Sequence, residues 1–242
     1  MTETDLFTKG KGFPFDHISP SFISKYETCP LAALYYREGR TKQWDPRYAE
    51  VGRYTHSVIE REYRPDAEIH EPECGWDDEM RSRHASAMAG YRDLLKRDDR
   101  YRPVIDGSDG SEVRQYPEHH IEIDIQGVPM MGVIDLLTVR GSSIEIVDWK
   151  TGVYKAADEQ QLRIYTRMVS EIMAVPPRNI VATLCYLRDP RKIQRHVPFT
   201  SATAIDHHIV HNVIEPIRDL QFVPKRGKAC ARCEYRHLCE AW

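Results

Sequence analysis

Apolar positions recur at helical spacing through the first hundred residues and at strand spacing after residue 120. Phe22, Ile23 and Tyr26 mark one buried helix face. Ser19 is placed to cap that helix, and Pro20 suits its first position. Pro30 opens a second helical stretch through Leu34, Tyr35 and Tyr36 to Gly39. Further helices are predicted over 48–63 and 77–96, with Asp77 and Asp78 at the positive end of the latter. Residues 98–110 are polar and turn-rich and read as a loop. The period then shortens from about four to two. Ile121, Ile123 and Ile125 alternate with Glu122, Asp124 and Gln126, which predicts a half-buried strand. Gly127 and Gly141-Ser142-Ser143 are turns, around strands predicted over 130–139 and 144–150. A helix over 158–173 ends before Pro176-Pro177. Strands over 179–187 and 192–197 flank a turn at Asp189-Pro190. A helix over 201–220, interrupted or kinked near Pro216, leads into an irregular tail. The expected class is α/β, with a mixed sheet and a crossover helix. A single domain over 1–242 is predicted, in three regions. Residues 18–97 are helical, 115–200 form the sheet with its crossover helix, and 201–242 form a helix and a cysteine tail.

Charge narrows the function classes. The 242 residues carry 34 Lys and Arg against 37 Asp and Glu, so the net charge of −3 excludes a uniformly basic nucleic-acid binder. A local basic groove remains open. Arg37, Arg40, Lys42, Arg53, Lys155, Arg163, Arg167, Arg188, Arg191, Lys192 and Arg195 are its candidates, with Tyr35, Tyr36, Trp44 and Tyr54 interleaved. Cations and aromatics together suit single strands, where bases stack and phosphates pair. No apolar run approaches the ~18 residues of a membrane span. The polar stretch Met1 to Lys11 lacks the apolar core of a signal peptide, so a cytoplasmic protein is expected.

Six cysteines need a reason in that compartment, where a disulfide framework is a poor one. They are Cys29, Cys74, Cys185, Cys230, Cys233 and Cys239. The run Cys230-x2-Cys233-x5-Cys239 can aim three thiolates at one metal or cluster. Candidates for a fourth ligand are Cys29, Cys74, Cys185 and His237. Cys185 sits in an apolar run and reads as a buried strand residue, and Cys74 lies in an acidic loop. Cys29, at a break between helices, is a plausible ligand.

Two segments place an acid after β-branched residues: Gly132-Val133-Ile134-Asp135 and Val147-Asp148-Trp149-Lys150. An unpaired carboxylate in a sheet interior is costly, and a metal ion would remove that cost. Strand alternation puts Asp148 and Lys150 on one face and Trp149 on the other. A neighbouring strand can bring Asp135 beside Asp148. Gln161 and Tyr165, four apart on a helix, can face the same site. His56 shares a helix face with Gly52 and is a candidate third metal ligand that suits Mn²⁺. His207, His208 and His211 read as exposed, without acids at ligand spacing.

Asp135, Asp148-x-Lys150 and Gln161-x3-Tyr165 resemble the PD-(D/E)XK nuclease superfamily. The Ser19-to-Ser21 helix start, His56, and Cys29 with the late cysteine run are similar to its RecB-like branch with an iron–sulfur cluster. That branch includes the AddB nuclease domain and the CRISPR-associated exonucleases called Cas four, some of them phage-encoded. One departure is that Gly132-Val133-Ile134, with no proline, precedes Asp135; that position varies within the superfamily. The resemblance implies a restriction-endonuclease-like mixed central sheet flanked by helices. In it a metal cluster clips the N-terminal helical region to the C-terminal cysteine segment. It implies His56, Asp135, Asp148 and the Trp149 backbone carbonyl as ligands of Mn²⁺ or Mg²⁺. Asp135, Asp148 and Lys150 would be catalytic, with Gln161 and Tyr165 orienting Lys150 or touching DNA. Cys29, Cys230, Cys233 and Cys239 would hold a structural 4Fe–4S cluster, with zinc the competing occupant. The implied activity is 5′-to-3′ exonucleolytic hydrolysis of single-stranded DNA ends. Alternatives are a CRISPR adaptation subunit that trims pre-spacers beside an integrase, and a non-catalytic DNA-end-binding module. Recombination partners and a homo-oligomer remain open.

Overall fold

The computed structural model describes residues 13–43, 45–73, 75–104, 113–189, 195–199 and 201–241. The expectations that fall on Met1 to Lys11, Trp44, Cys74, Pro190, Arg191 and Lys192 lie outside the described residues. No helix among the described residues is long and apolar enough to cross a membrane.

Helices come first. They are α1 (Pro20–Thr28), α2 (Pro30–Arg37), α3 (Arg47–Tyr63) and α4 (Asp78–Arg97). Their starts follow from local chemistry. Ser19 Oγ accepts from the Phe22 amide at 3.2 Å, and Asp77 Oδ1 accepts from the Met80 amide at 2.9 Å. Cys29 separates α1 from α2, with extended backbone between two helical ends.

Then come the strands β1 (Val113–Ile125), β2 (Val128–Arg140) and β3 (Ser143–Lys150). Helix α5 (Ala156–Ile172) crosses over to β4 (Ile180–Tyr186), and β5 (Arg195–His196) follows. The described sheet has the order β1-β2-β3-β4-β5. β2 and β3 are antiparallel, β3 and β4 parallel, and β4 and β5 antiparallel, so the sheet is mixed as expected. β1 begins eight residues before the alternation that announces it, at Val113 rather than Ile121. The early half escapes the period-two test because Pro117, Glu118, His119 and His120 interrupt it. Glu118 takes a positive φ of 43°, a local distortion of the kind found in bulged strands.

The last helical segment is interrupted, as expected, and the interruption is a π turn. α6 (Ala202–Ile209) passes into a π-helical turn, Val210–Ile214, before α7 (Glu215–Arg218). Pro216 sits at the start of α7 and not in a broken interior. The wide turn re-aims Val210, Val213 and Ile214, which are all buried. The tail carries two 3-10 turns, Lys228–Arg232 and Arg236–Leu238.

The chain divides into two compact units. The first contains the described parts of 1–44, 122–132 and 200–242, and the second those of 45–121 and 133–199. Each is assembled from separated stretches, so no single linker divides the sequence. In the first unit, Phe22, Ile23 and Tyr26 of α1 and the buried residues of α6, its π turn and α7 form the apolar interior. Ile18 joins β2 by a parallel bridge, donating to Pro129 O at 2.9 Å and accepting from Met131 N at 2.8 Å. In the second unit, Tyr91, Leu94, Tyr101, Leu136, Val147, Trp149, Cys185 and Leu187 share one core. Trp149 is packed edge-on by Tyr91 and Tyr101. Gly90 is where α4 meets the end of β4: a Cβ there would lie 1.7 Å from Leu187 O.

Candidate active site

Trp149 turns into the core, so its neighbours Asp148 and Lys150 turn to the opposite face of β3. The β2–β3 register pairs Leu136 with Val147, which carries Asp135 toward Asp148. Asp135 is anchored there: its Oδ2 accepts from the Trp149 amide at 2.6 Å. Helix α3 brings His56 to the same place. Its Nδ1 lies 3.5 Å from Asp135 Oδ1 and 3.9 Å from Glu118 Oε1. One donor atom each from His56, Glu118 and Asp135 fall within 4.8 Å of one another.

Asp148 belongs to the same charge cluster through Lys150, whose Nζ lies 2.7 Å from its Oδ2. Lys150 is held from the other side. Its Nζ donates to Gln161 Oε1 at 3.0 Å, and Gln161 Nε2 donates to the Tyr165 hydroxyl at 3.2 Å. Tyr165 in turn donates to Val133 O at 2.7 Å. The relay runs from β3 through α5 to β2, so the lysine is fixed by both elements that flank it. Lys150 also lies 3.9 Å from Asp158 Oδ1, and Asp158 accepts from the Tyr186 hydroxyl at 3.0 Å.

The electrostatics are those of an anionic cluster short of positive charge. Burial, followed by the Asp135 charge, pushes Glu118 up to about 7. Burial also raises Asp148, against the pull of Lys150. Burial alone would lower His56, but the Asp135 carboxylate more than offsets it and raises the imidazole to about 9. Two carboxylates and one imidazole that converge, with Asp148 beside them through Lys150, suit a hard divalent cation, so the donor set fits Mn²⁺ or Mg²⁺. His56, Asp135, Asp148, Lys150, Gln161 and Tyr165 are therefore brought together here. Glu118 is the addition. Its signal in the sequence was Pro117 beside an acid in a stretch that did not alternate.

The sulfur residues gather in the first unit. Burial pushes the Cys233 thiol up, and Cys29, Cys230 and Cys239 lie close enough to add to that rise. The Lys225 backbone touches two of them. Its amide donates to Cys29 Sγ at 3.5 Å, and Cys230 Sγ donates to its carbonyl at 3.8 Å. An all-thiol donor set fits zinc or an iron–sulfur cluster. Cys185 is buried on β4, in the core of the second unit. His207, His208 and His211 are exposed as expected, but acids do face them. His208 pairs with Glu27, and His211 Nδ1 lies 2.6 Å from Glu215 Oε2. The spacing argument missed Glu215, one helical turn beyond His211, and could not see Glu27, which comes from α1.

The family model described as the PD-(D/E)XK nuclease superfamily matches residues 17–240. No curated protein matches the chain. Among solved structures, the "Putative exonuclease" of Eubacterium rectale is similar in fold, with a TM-score of 0.56 at 14% identity over 98% of this chain and 92% of that one. The protein SSO0001 is 16% identical over 94% of this chain and 87% of its own, with a TM-score of 0.47.

Proposed function

Because the chain belongs to the PD-(D/E)XK nuclease superfamily, whose members use divalent cations, we propose that it is a metal-dependent DNA exonuclease acting on single-stranded ends in the 5′-to-3′ direction. The observation that carries the proposal is the meeting of His56, Glu118 and Asp135 beside the Asp148–Lys150 pair. His56, Asp135 and Asp148, joined by Glu118 and the Trp149 carbonyl, would hold the ion. A bound Mn²⁺ or Mg²⁺ supplies Lewis acidity toward a phosphoryl oxygen and a more acidic water.

The chain's own residues do the rest. Lys150 Nζ supplies a fixed positive charge for the extra negative charge that develops on phosphorus. Gln161 Oε1 fixes that ammonium, and Tyr165 ties Gln161 to the Val133 carbonyl. Asp135 and its bond to the Trp149 amide hold the two strands at the distance the site requires. Polarity and preference for single strands rest on the resemblance to the RecB-like branch. Cys29, Cys230, Cys233 and Cys239 hold a structural 4Fe–4S cluster in this reading, supported by their shared neighbourhood around Cys233.

The test is degradation of end-labelled single-stranded DNA with Mn²⁺ or Mg²⁺, for the wild type and Lys150→Ala, with a chelator control. Metal-dependent loss of label by the wild type, slowed about 10²–10³-fold in Lys150→Ala, is expected. Label placed at either end reports the polarity. A folded, metal-supplied wild type that leaves the label intact would refute the activity.

A further inference from the structure

Among the described residues, Arg188 has no counter-charge of its own. No carboxylate among them forms an ion pair with it, and its Nε is buried without a partner. Its hydrogen bond from Nη1 to Thr151 O is long, at 3.5 Å. The charges that act on it are the Arg83 guanidinium and the Glu79 carboxylate. Glu79 is already engaged: its Oε1 accepts from Arg83 Nε at 2.9 Å and from Nη2 at 2.7 Å. Two guanidiniums thus share one carboxylate, which leaves a net positive charge. A buried N–H with nothing to bind is costly and wants an acceptor. An anion that reaches Arg188 would satisfy both deficits.

The position says which anion. β3 and β4 are parallel, with Lys150 paired to Tyr186, so their carboxyl ends emerge on the same edge. Arg188 lies two residues past β4, beside Thr151, which directly follows Lys150. The carboxyl ends of parallel strands are where ligands bind in open α/β sheets. Gly52 of α3 packs against Thr151, since a Cβ there would lie 3.5 Å from Thr151 Oγ1. His56 is four residues further along α3, about 6 Å at ~1.5 Å rise per residue. A strand held with one phosphate at His56 brings its neighbouring phosphates to the same edge, where Arg188 can meet one of them. Arg83 also stacks over the ring of Tyr48, which is 42% exposed. An exposed ring beside guanidiniums is the combination that holds a base and its phosphate.

We propose that Arg188, backed by Arg83, binds a non-scissile backbone phosphate of the nucleic-acid strand whose neighbouring phosphodiester lies at His56, Asp135 and Lys150. This rests on the nuclease reading of that site. A guanidinium can grip a phosphate through two N–H groups at once, which a lysine cannot reproduce.

The experiment uses full-length wild type, Arg188→Ala and Arg188→Lys with labelled single-stranded oligonucleotides. In some of these, one phosphate at a time is replaced by an uncharged methylphosphonate. Cleavage with Mn²⁺ is expected to show a KM raised about tenfold in Arg188→Ala with kcat little changed, and partial recovery in Arg188→Lys. The salt slope of binding should fall by about one. One methylphosphonate position should weaken the wild type and leave Arg188→Ala no weaker than before. Oligonucleotide binding without metal is read in parallel by fluorescence anisotropy. If the wild type binds DNA but does not cut it, the nuclease reading fails while the subsite is still measured. Arg188→Ala that keeps the wild-type KM, affinity and salt slope overturns the proposal, as does a wild type that binds no oligonucleotide. Equal thermal midpoints for the three proteins exclude misfolding as the cause, and Arg188→Lys carries the test if the alanine variant is unstable.

Discussion

Glu118 would not attract notice as a letter in the sequence, yet its backbone φ of 43° and its place near His56 set it apart. A non-glycine residue in that region costs energy, and such strain gathers at functional sites. The carboxylate is held at about 7 by burial and by Asp135, above an ordinary 4.5. The native state keeps the Glu118 proton where the unfolded chain has lost it, so stability falls as pH rises from 4.5 to about 7. His56 acts in the same sense: its contribution is full below 6.5 and is lost as pH rises through about 9. The metal-free protein should therefore melt at progressively lower temperature from pH about 5 to 9, and Mn²⁺ should restore the midpoint most at the alkaline end. Glu118→Gln should flatten the lower part of that profile and weaken Mn²⁺ binding by about tenfold or more, as titration calorimetry would show. A profile unchanged by the substitution would place Glu118 outside the cluster.

Elements were legible where their pattern was local. Ser19-Pro20 opens α1 because a hydroxyl and a ring can do so without any tertiary help. Asp135, Asp148 and Lys150 could be assigned to one face because strand alternation is a geometric rule. The first half of β1 was not legible, since its distortion at Glu118 is set by what it meets in space. The π turn was equally hidden: its extra residue per turn serves the burial of Val210, Val213 and Ile214, not a preference of its own sequence. Gly90 belongs to this class too, because nothing in its neighbours announces that Leu187 O lies against it. Gly90→Ala must push α4 off the end of β4. A loss of about 1–3 kcal/mol is expected from urea unfolding, by analogy with overpacked cores. Since β4 leads directly to Arg188, the same variant should weaken oligonucleotide binding. A neutral Gly90→Ala would mean that α4 can shift freely, which the packing of Tyr91 on Trp149 argues against.

For the whole molecule, the four candidate cluster cysteines and the candidate active-site residues fall in different units. Cys29 and Cys230 are far apart in sequence, and a bond network through a shared cluster would close that long loop. The entropic gain from such closure grows only slowly with length, but it acts on the whole unfolded chain. The apolar interior of α1 with the π turn and α7 already orders much of the first unit, so a cluster would add to a core and not replace one. Protein purified without oxygen should be brown and carry about four iron atoms per chain. Cys233→Ala should lose the colour and lower the melting temperature, while Lys150→Ala should keep the colour and lose cleavage. The pair separates a structural role from a chemical one: an iron-free Cys233→Ala that still cuts DNA at low temperature marks the cluster as a clip, whereas a colourless, zinc-loaded wild type assigns the thiols to zinc. A wild type with neither metal would remove the clip and leave the first unit to its apolar core alone, with Cys29 and Cys230 as ordinary thiols around Lys225.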